Sequence, residues 1–209
     1  MGTGRLEAFS DGVLAVAITL LVLDLHVDRG EPQSLLHQLG QQWPSFTGYA
    51  LSFFVLGIIW VNHHALLAFT ERVDRALLFY NLLLLLWTTT IPFTTAALAS
   101  YLRAGGQDGR VAVLLYGASL EGMAASFTLM LRHILRHQLS IRPVSAGERR
   151  RWLVRFGIGT VLYPVATLAG LLSLPAMFAC YALINGFYIF EQTPPPPSAE
   201  SGAGPADIP

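Results

Sequence analysis

Residues Arg5–Val27 read RLEAFSDGVLAVAITLLVLDLHV. The stretch opens like a soluble amphipathic helix, turns into a membrane helix, and then meets Asp24. The run from Gly12 to Leu23 carries no charge. As a helix it covers about 18 Å at ~1.5 Å per residue. A hydrocarbon core is about 30 Å thick. The span therefore has to include the Arg5–Asp11 turn, which carries Asp11 roughly 9 Å inward from Arg5. A carboxylate at that depth costs on the order of 2.5–3.5 kcal/mol and should face protein or water, not lipid.

The rest of the chain agrees with a membrane setting. Of 209 residues, 53% are hydrophobic and 12% charged, where a soluble domain carries about 25% charged residues. Mean hydropathy is +0.51. The net charge is zero, so bulk electrostatics points to no nucleic-acid partner. Every basic side chain is arginine. Cys180 stands alone in an apolar run, which excludes a disulfide framework and a cysteine metal site. Glu7 and Asp11 spoil the positive region of a signal peptide, and no A-x-A-like site follows Leu25. The first segment reads as a retained helix.

Six segments are apolar enough to cross: Leu6–His26, Trp43–Phe69, Ala76–Leu102, Arg110–Leu135, Trp152–Leu172 and Leu174–Phe190. The turn between the last two, around Ser173 and Pro175, is tight and predicts a close helical hairpin. Arg5, Arg72, Arg75, Arg132, Arg136, Arg142, Arg149, Arg150, Arg151 and Arg155 fall on one side, and Arg29, Arg103 and Arg110 on the other. The richer side is cytoplasmic by the positive-inside rule, so both termini are expected there. The expectation is an all-α integral membrane protein, multi-pass in the inner (plasma) membrane. Residues 1–192 form one six-helix domain, and the Pro-rich tail 193–209 is disordered.

Asp11 has candidate partners at its own depth. The second segment ends in WVNHHALLAF and the third begins near Asn81. A network of Ser10 and Asp11 with Trp60, His64 and Asn81 would satisfy a buried carboxylate and lock the first helix at one rotation and depth. On another face Gly12, Val16, Thr19, Leu23 and His26 are spaced 4, 3, 4 and 3. That is the 3.5-residue seam of helices packed around an axis. It fits an ordinary packing seam or the lining of an axial pore. In the fourth segment Ala118, Gly122 and Ser126 recur every four residues, a stripe suited to close packing. Thr88, Thr89, Thr90, Thr94 and Thr95 flank Pro92, where they could re-satisfy the backbone. Glu121, mid-span, is either a paired or protonated acid at a helix contact or an ion relay.

Other chemistries are poorly served. His63 and His64 are adjacent and point about 100° apart, so they do not share a metal-ligand face. Ser10 with His64 lacks a Gly-rich turn and an oxyanion donor pair, which argues against an enzyme. No cofactor is implied.

Arg5-x-x-x-Phe9-Ser10-Asp11, followed by Gly12-Val13-Leu14-Ala15 and ITLLVLDL, resembles the first-helix signature of prokaryotic relatives of the lysosomal potassium channel, the transmembrane protein 175 family. The WVNHH stretch is similar too. The resemblance implies a potassium-permeable cation channel with one six-helix repeat per chain. It implies a homotetramer whose first helices line a central pore. It also implies selectivity from rings of hydrophobic side chains, with no carbonyl filter; no TVGYG-like loop is found here. Carried over by spacing from Asp11, those rings fall at Val16, Thr19 and Leu23, on the stripe described above. The family's narrowest ring usually holds Leu or Ile, whereas Val16 is one carbon smaller. The other reading is a proton- or cation-coupled secondary transporter using Asp11 and Glu121. It would want broken helices and an internal repeat, neither of which is evident.

Overall fold

The computed structural model describes residues 2–25, 34–101 and 106–189. His26, Arg29, the end of the third span at Leu102, Arg103, the end of the sixth span at Phe190 and the tail from 193 lie outside the described residues. Those described are all-helical, with a single isolated bridge, Thr70 with Ser140. The helices are α1 (Thr3–Leu20), α2 (Leu35–Gln41), α3 (Trp43–Ala68), α4 (Arg75–Tyr101), α5 (Gly106–Arg136), α6 (Ala146–Gly157), α7 (Gly159–Gly170) and α8 (Leu174–Ile189). A 3-10 turn over Leu21–Asp24 extends α1.

Local chemistry sets the ends. Pro44 opens α3, where a missing N–H costs nothing. Asp74 caps α4 by accepting from the Leu77 N–H at 2.7 Å. Gln138 takes a left-handed φ of 51° just beyond α5. The chain then returns beneath the α3–α4 turn: Glu71 N–H donates to Leu139 O at 2.8 Å and Ile141 N–H to Phe69 O at 3.0 Å.

Among the described residues five stretches are long and apolar enough to cross a membrane, and α8 is a shorter apolar helix. The fifth stretch differs from expectation. It starts at Ala146, before Trp152, and breaks at Ile158 into α6 and α7. A capping box accounts for the early start. Ser145 Oγ accepts from the Glu148 N–H, and the Glu148 carboxylate accepts from the Ser145 N–H at 3.0 Å. The unpredicted α2 is capped by Ser34, whose hydroxyl accepts from the His37 N–H.

The core lies between α4, α5 and α7, with α3 and α8 closing it. Tyr116 and Tyr181 are fully buried and meet edge to face at 5.6 Å. The small-residue stripe on α5 is rearranged. Gly122 lies under the Trp87 ring and Gly117 under Thr167, while Ala118 is exposed. The threonines around Pro92 donate to the carbonyls of Leu85, Leu86, Trp87 and Ile91. They do not cap Thr88, whose carbonyl Pro92 leaves without its helical donor.

Candidate functional site

α1 has two unlike faces. Leu6, Ser10, Leu14, Ala17 and Leu21 are buried and pack on α3 and α4. Their spacing of 4, 4, 3 and 4 makes one helical stripe. The opposite face is open. Gly12 and Thr19 are exposed, Val16 is 57% exposed and Leu23 72%. The Thr19 hydroxyl donates back to Val16 O at 2.9 Å. Its hydrogen is thereby used, and its oxygen remains able to accept. Arg5 and Phe9 are exposed as well, Phe9 by 51%. Of the motif, these two are not part of the buried network; their turn angles place them on the open side.

The buried face is pinned by a directed chain of hydrogen bonds. Asn81 Nδ2 donates to Ser10 Oγ at 3.0 Å, which leaves Asn81 Oδ1 to accept from His63 Nε2 at 2.7 Å. The Ser10 hydroxyl donates onward to Leu6 O at 2.9 Å. Ser10, His63 and Asn81 are all fully buried. His63 Nδ1 has no hydrogen-bond partner. The chain thus runs from α3 through α4 to α1 and fixes the rotation of α1.

His64, expected in this buried network, stands outside it. His63 takes the inner place because neighbouring residues on a helix point about 100° apart and only one can face α4. His64 Nδ1 instead pairs with Glu7 Oε1 at 2.6 Å. Trp60 Nε1 donates to Asp11 Oδ1 at 2.9 Å in an exposed contact. Glu7 and Asp11 are one turn apart on α1, and His64 and Trp60 one turn apart on α3. The pairs form two rungs between antiparallel helices. Asp11 is therefore held by an indole donor at the edge of the helix pair.

Glu121 lies elsewhere, on α5, within electrostatic range of Tyr163 on α7. Its Oε2 is buried and has no hydrogen-bond partner. A hydroxyl knot passed unnoticed in the sequence. Ser52 Oγ lies 2.8 Å from Thr95 Oγ1 and 3.0 Å from Tyr116 OH, all buried, which ties α3 to α4 and α5. Its members are too far apart in the chain for any spacing rule to link them. Among the described residues no group of three His, Cys, Asp or Glu is placed to hold a metal ion.

Comparison with known proteins agrees with these features. The family model described as "Endosomal/lysosomal potassium channel TMEM175" matches residues 5–92. A potassium channel of Streptomyces collinus is 42% identical over 196 residues, covering 93% of this chain and 95% of its own. A potassium channel of Chamaesiphon minutus is 38% identical, covering 78% of this chain and 82% of its own. The crystal structure of a lysosomal potassium-selective channel TMEM175 homologue from that organism superposes with a TM-score of 0.80 at 32% identity. It covers 91% of this chain and 97% of that one. With its long apolar helices, the chain is a multi-pass membrane protein and belongs to the TMEM175 family.

Proposed function

We propose that this chain is a potassium-permeable channel, built as a homotetramer in which four copies of α1 meet at a central axis. Both termini face the cytoplasm of a cell whose inner membrane holds the protein. The observation that carries the reading is the two-faced α1. Its inner side is pinned by His63, Asn81 and Ser10, while Val16, Thr19 and Leu23 stand open on the other side.

A ring of four Val16 side chains forms an apolar constriction that resists wetting when narrow and closes the pore without charge. When the ring widens, a potassium ion sheds part of its water at lower cost than sodium does. Thr19 oxygens, one turn outward, return part of that cost. Leu23 forms the outer apolar ring. The shorter Val16 side chain makes this constriction wider than a Leu or Ile ring at the same helix separation, which favours conductance over discrimination. Selection by hydration cost requires no cofactor and no bond-making chemistry.

In liposomes loaded with potassium, wild-type protein should release the ion down its gradient with sodium as the weaker competitor. Val16→Asn and Leu23→Asn should each raise resting leak and bring sodium flux closer to potassium flux. Unchanged leak and selectivity in both variants would remove these residues from the pore. Glu121, with its unpartnered carboxylate oxygen, favours the coupled-transporter reading. That reading predicts uphill transport lost in Glu121→Gln, whereas a channel carries only downhill flux and keeps it in that variant.

A further inference from the structure

Helices α6 and α7 form one 25-residue stretch, Ala146–Gly170, whose two sides are chemically distinct. The inner side holds Trp152, Phe156, Gly159, Tyr163 and Ala166, all buried. Trp152 meets Phe69 edge to face at 5.5 Å, and Phe156 lies 4.8 Å from Phe127. These contacts fix which side of the helix looks outward. On the outer side Val154, Val161, Val165 and Leu168 are each more than half exposed. Their spacing of 7, 4 and 3 makes a single apolar stripe of the kind that faces acyl chains.

Arg150, Arg151 and Arg155 are exposed at the arginine-rich end of the same stretch. By helix angle Arg150 shares the stripe, and Arg151 and Arg155, one turn apart, lie beside it on one side, about 60° and 100° from Val154. Among the described residues none of the three has an ion pair. Glu148, the acidic residue of α6, is already held by Arg142 at 3.0 Å and by the Ser145 cap. Three exposed guanidinium groups within six residues thus have no carboxylate partner, at the end of an apolar stripe. Val165 lies about 15 Å along the helix from Arg155 at ~1.5 Å per residue, roughly the hydrocarbon depth of one leaflet.

We propose that this face binds an anionic phospholipid of the cytoplasmic leaflet. Its phosphate sits among Arg150, Arg151 and Arg155, and one acyl chain lies along Val161, Val165 and Leu168. Guanidinium groups form forked, charge-assisted hydrogen bonds to phosphate oxygens. The continuous apolar stripe selects a lipid over a soluble phosphate. The inference rests on the membrane placement of α7 and is independent of which residues line the pore.

The test is a lipid titration of the purified full chain in neutral detergent, read as the rise in unfolding temperature. Phosphatidylglycerol should raise the midpoint of the wild type well beyond the same amount of phosphatidylcholine. R150Q/R151Q/R155Q should unfold at the wild-type temperature without lipid and need roughly 100-fold more phosphatidylglycerol for the same rise. R150K/R151K/R155K should retain part of the preference. If the triple glutamine variant unfolds early without lipid, R151Q and R155Q singly carry the comparison, each with a weakened phosphatidylglycerol response. An undiminished response in the glutamine variants would overturn the site. So would equal responses to the two lipids in the wild type. An equal rise with inorganic phosphate would mean a free-anion site and would overturn the lipid assignment.

Discussion

At the scale of single residues, His63 and His64 are neighbours in the chain with unlike energetic weight. His63 is fully buried and donates to Asn81. His63→Ala removes the short donor to the Asn81 carbonyl oxygen and leaves it only the Ser10 hydroxyl at 3.3 Å, an outcome that costs about 1–3 kcal/mol. His64 pairs with Glu7 at a largely exposed position, and such pairs contribute about 0–1 kcal/mol. Denaturation in detergent should therefore separate the two alanine variants clearly, with His63→Ala the weaker protein. Asp74 adds a pH dependence outside the spans. Burial raises its pKa, but the Leu77 N–H, the His133 hydrogen bond and the nearby charges of His133 and His137 outweigh that and hold it below its usual 3.8. A depressed carboxylate stabilises the fold fully above its unfolded pKa and ceases to do so as pH falls through its folded pKa. Wild-type unfolding temperature should therefore drop more steeply below about pH 4 than that of Asp74→Asn.

At the scale of elements, the packing of α5 against α4 leaves little slack. A methyl group at Gly122 would run into the Trp87 ring, and overpacking of this kind costs about 1–3 kcal/mol. Gly122→Ala should lower the unfolding temperature, whereas Gly57→Ala on α3, where a methyl group meets nothing within 4 Å, should not. What the sequence made legible divides along the same line. The stripe from Gly12 through Leu23 could be found by counting, because the helical period is a property of one element. A polar anchor at Ser10 could be expected because a polar residue at that depth demands a partner. Which histidine supplies it depends on the rotation of α3 about its own axis, and residue spacing does not contain that angle. The early start of the fifth span was written in Ser145 and Glu148, yet a count of apolar residues passes over a capping box. The Ser52–Thr95–Tyr116 knot exists only once three helices are assembled.

At the scale of the whole molecule, the first helix is held from behind and left open in front. In a single chain that open face is a mainly apolar surface that packs on no other described helix. In the proposed assembly it becomes the ion path, and the anchor at His63, Asn81 and Ser10 sets the angle at which Val16, Thr19 and Leu23 meet the axis. The arginine-rich end of α6 and α7 serves, in the proposal made above, a separate end, the contact with a lipid leaflet. In the proposed assembly α1 serves permeation and the fifth span the lipid, with α4 and α5 as the frame between them.

The most direct test of the central claim is a cysteine scan along α1 in a Cys180→Ala background, with potassium flux measured in liposomes before and after a water-soluble thiol reagent. The account predicts block at Val16→Cys, Thr19→Cys and Leu23→Cys and no block at Leu14→Cys or Ala17→Cys. Block at Leu14→Cys and Ala17→Cys, or flux indifferent to the reagent at all five positions, would contradict it.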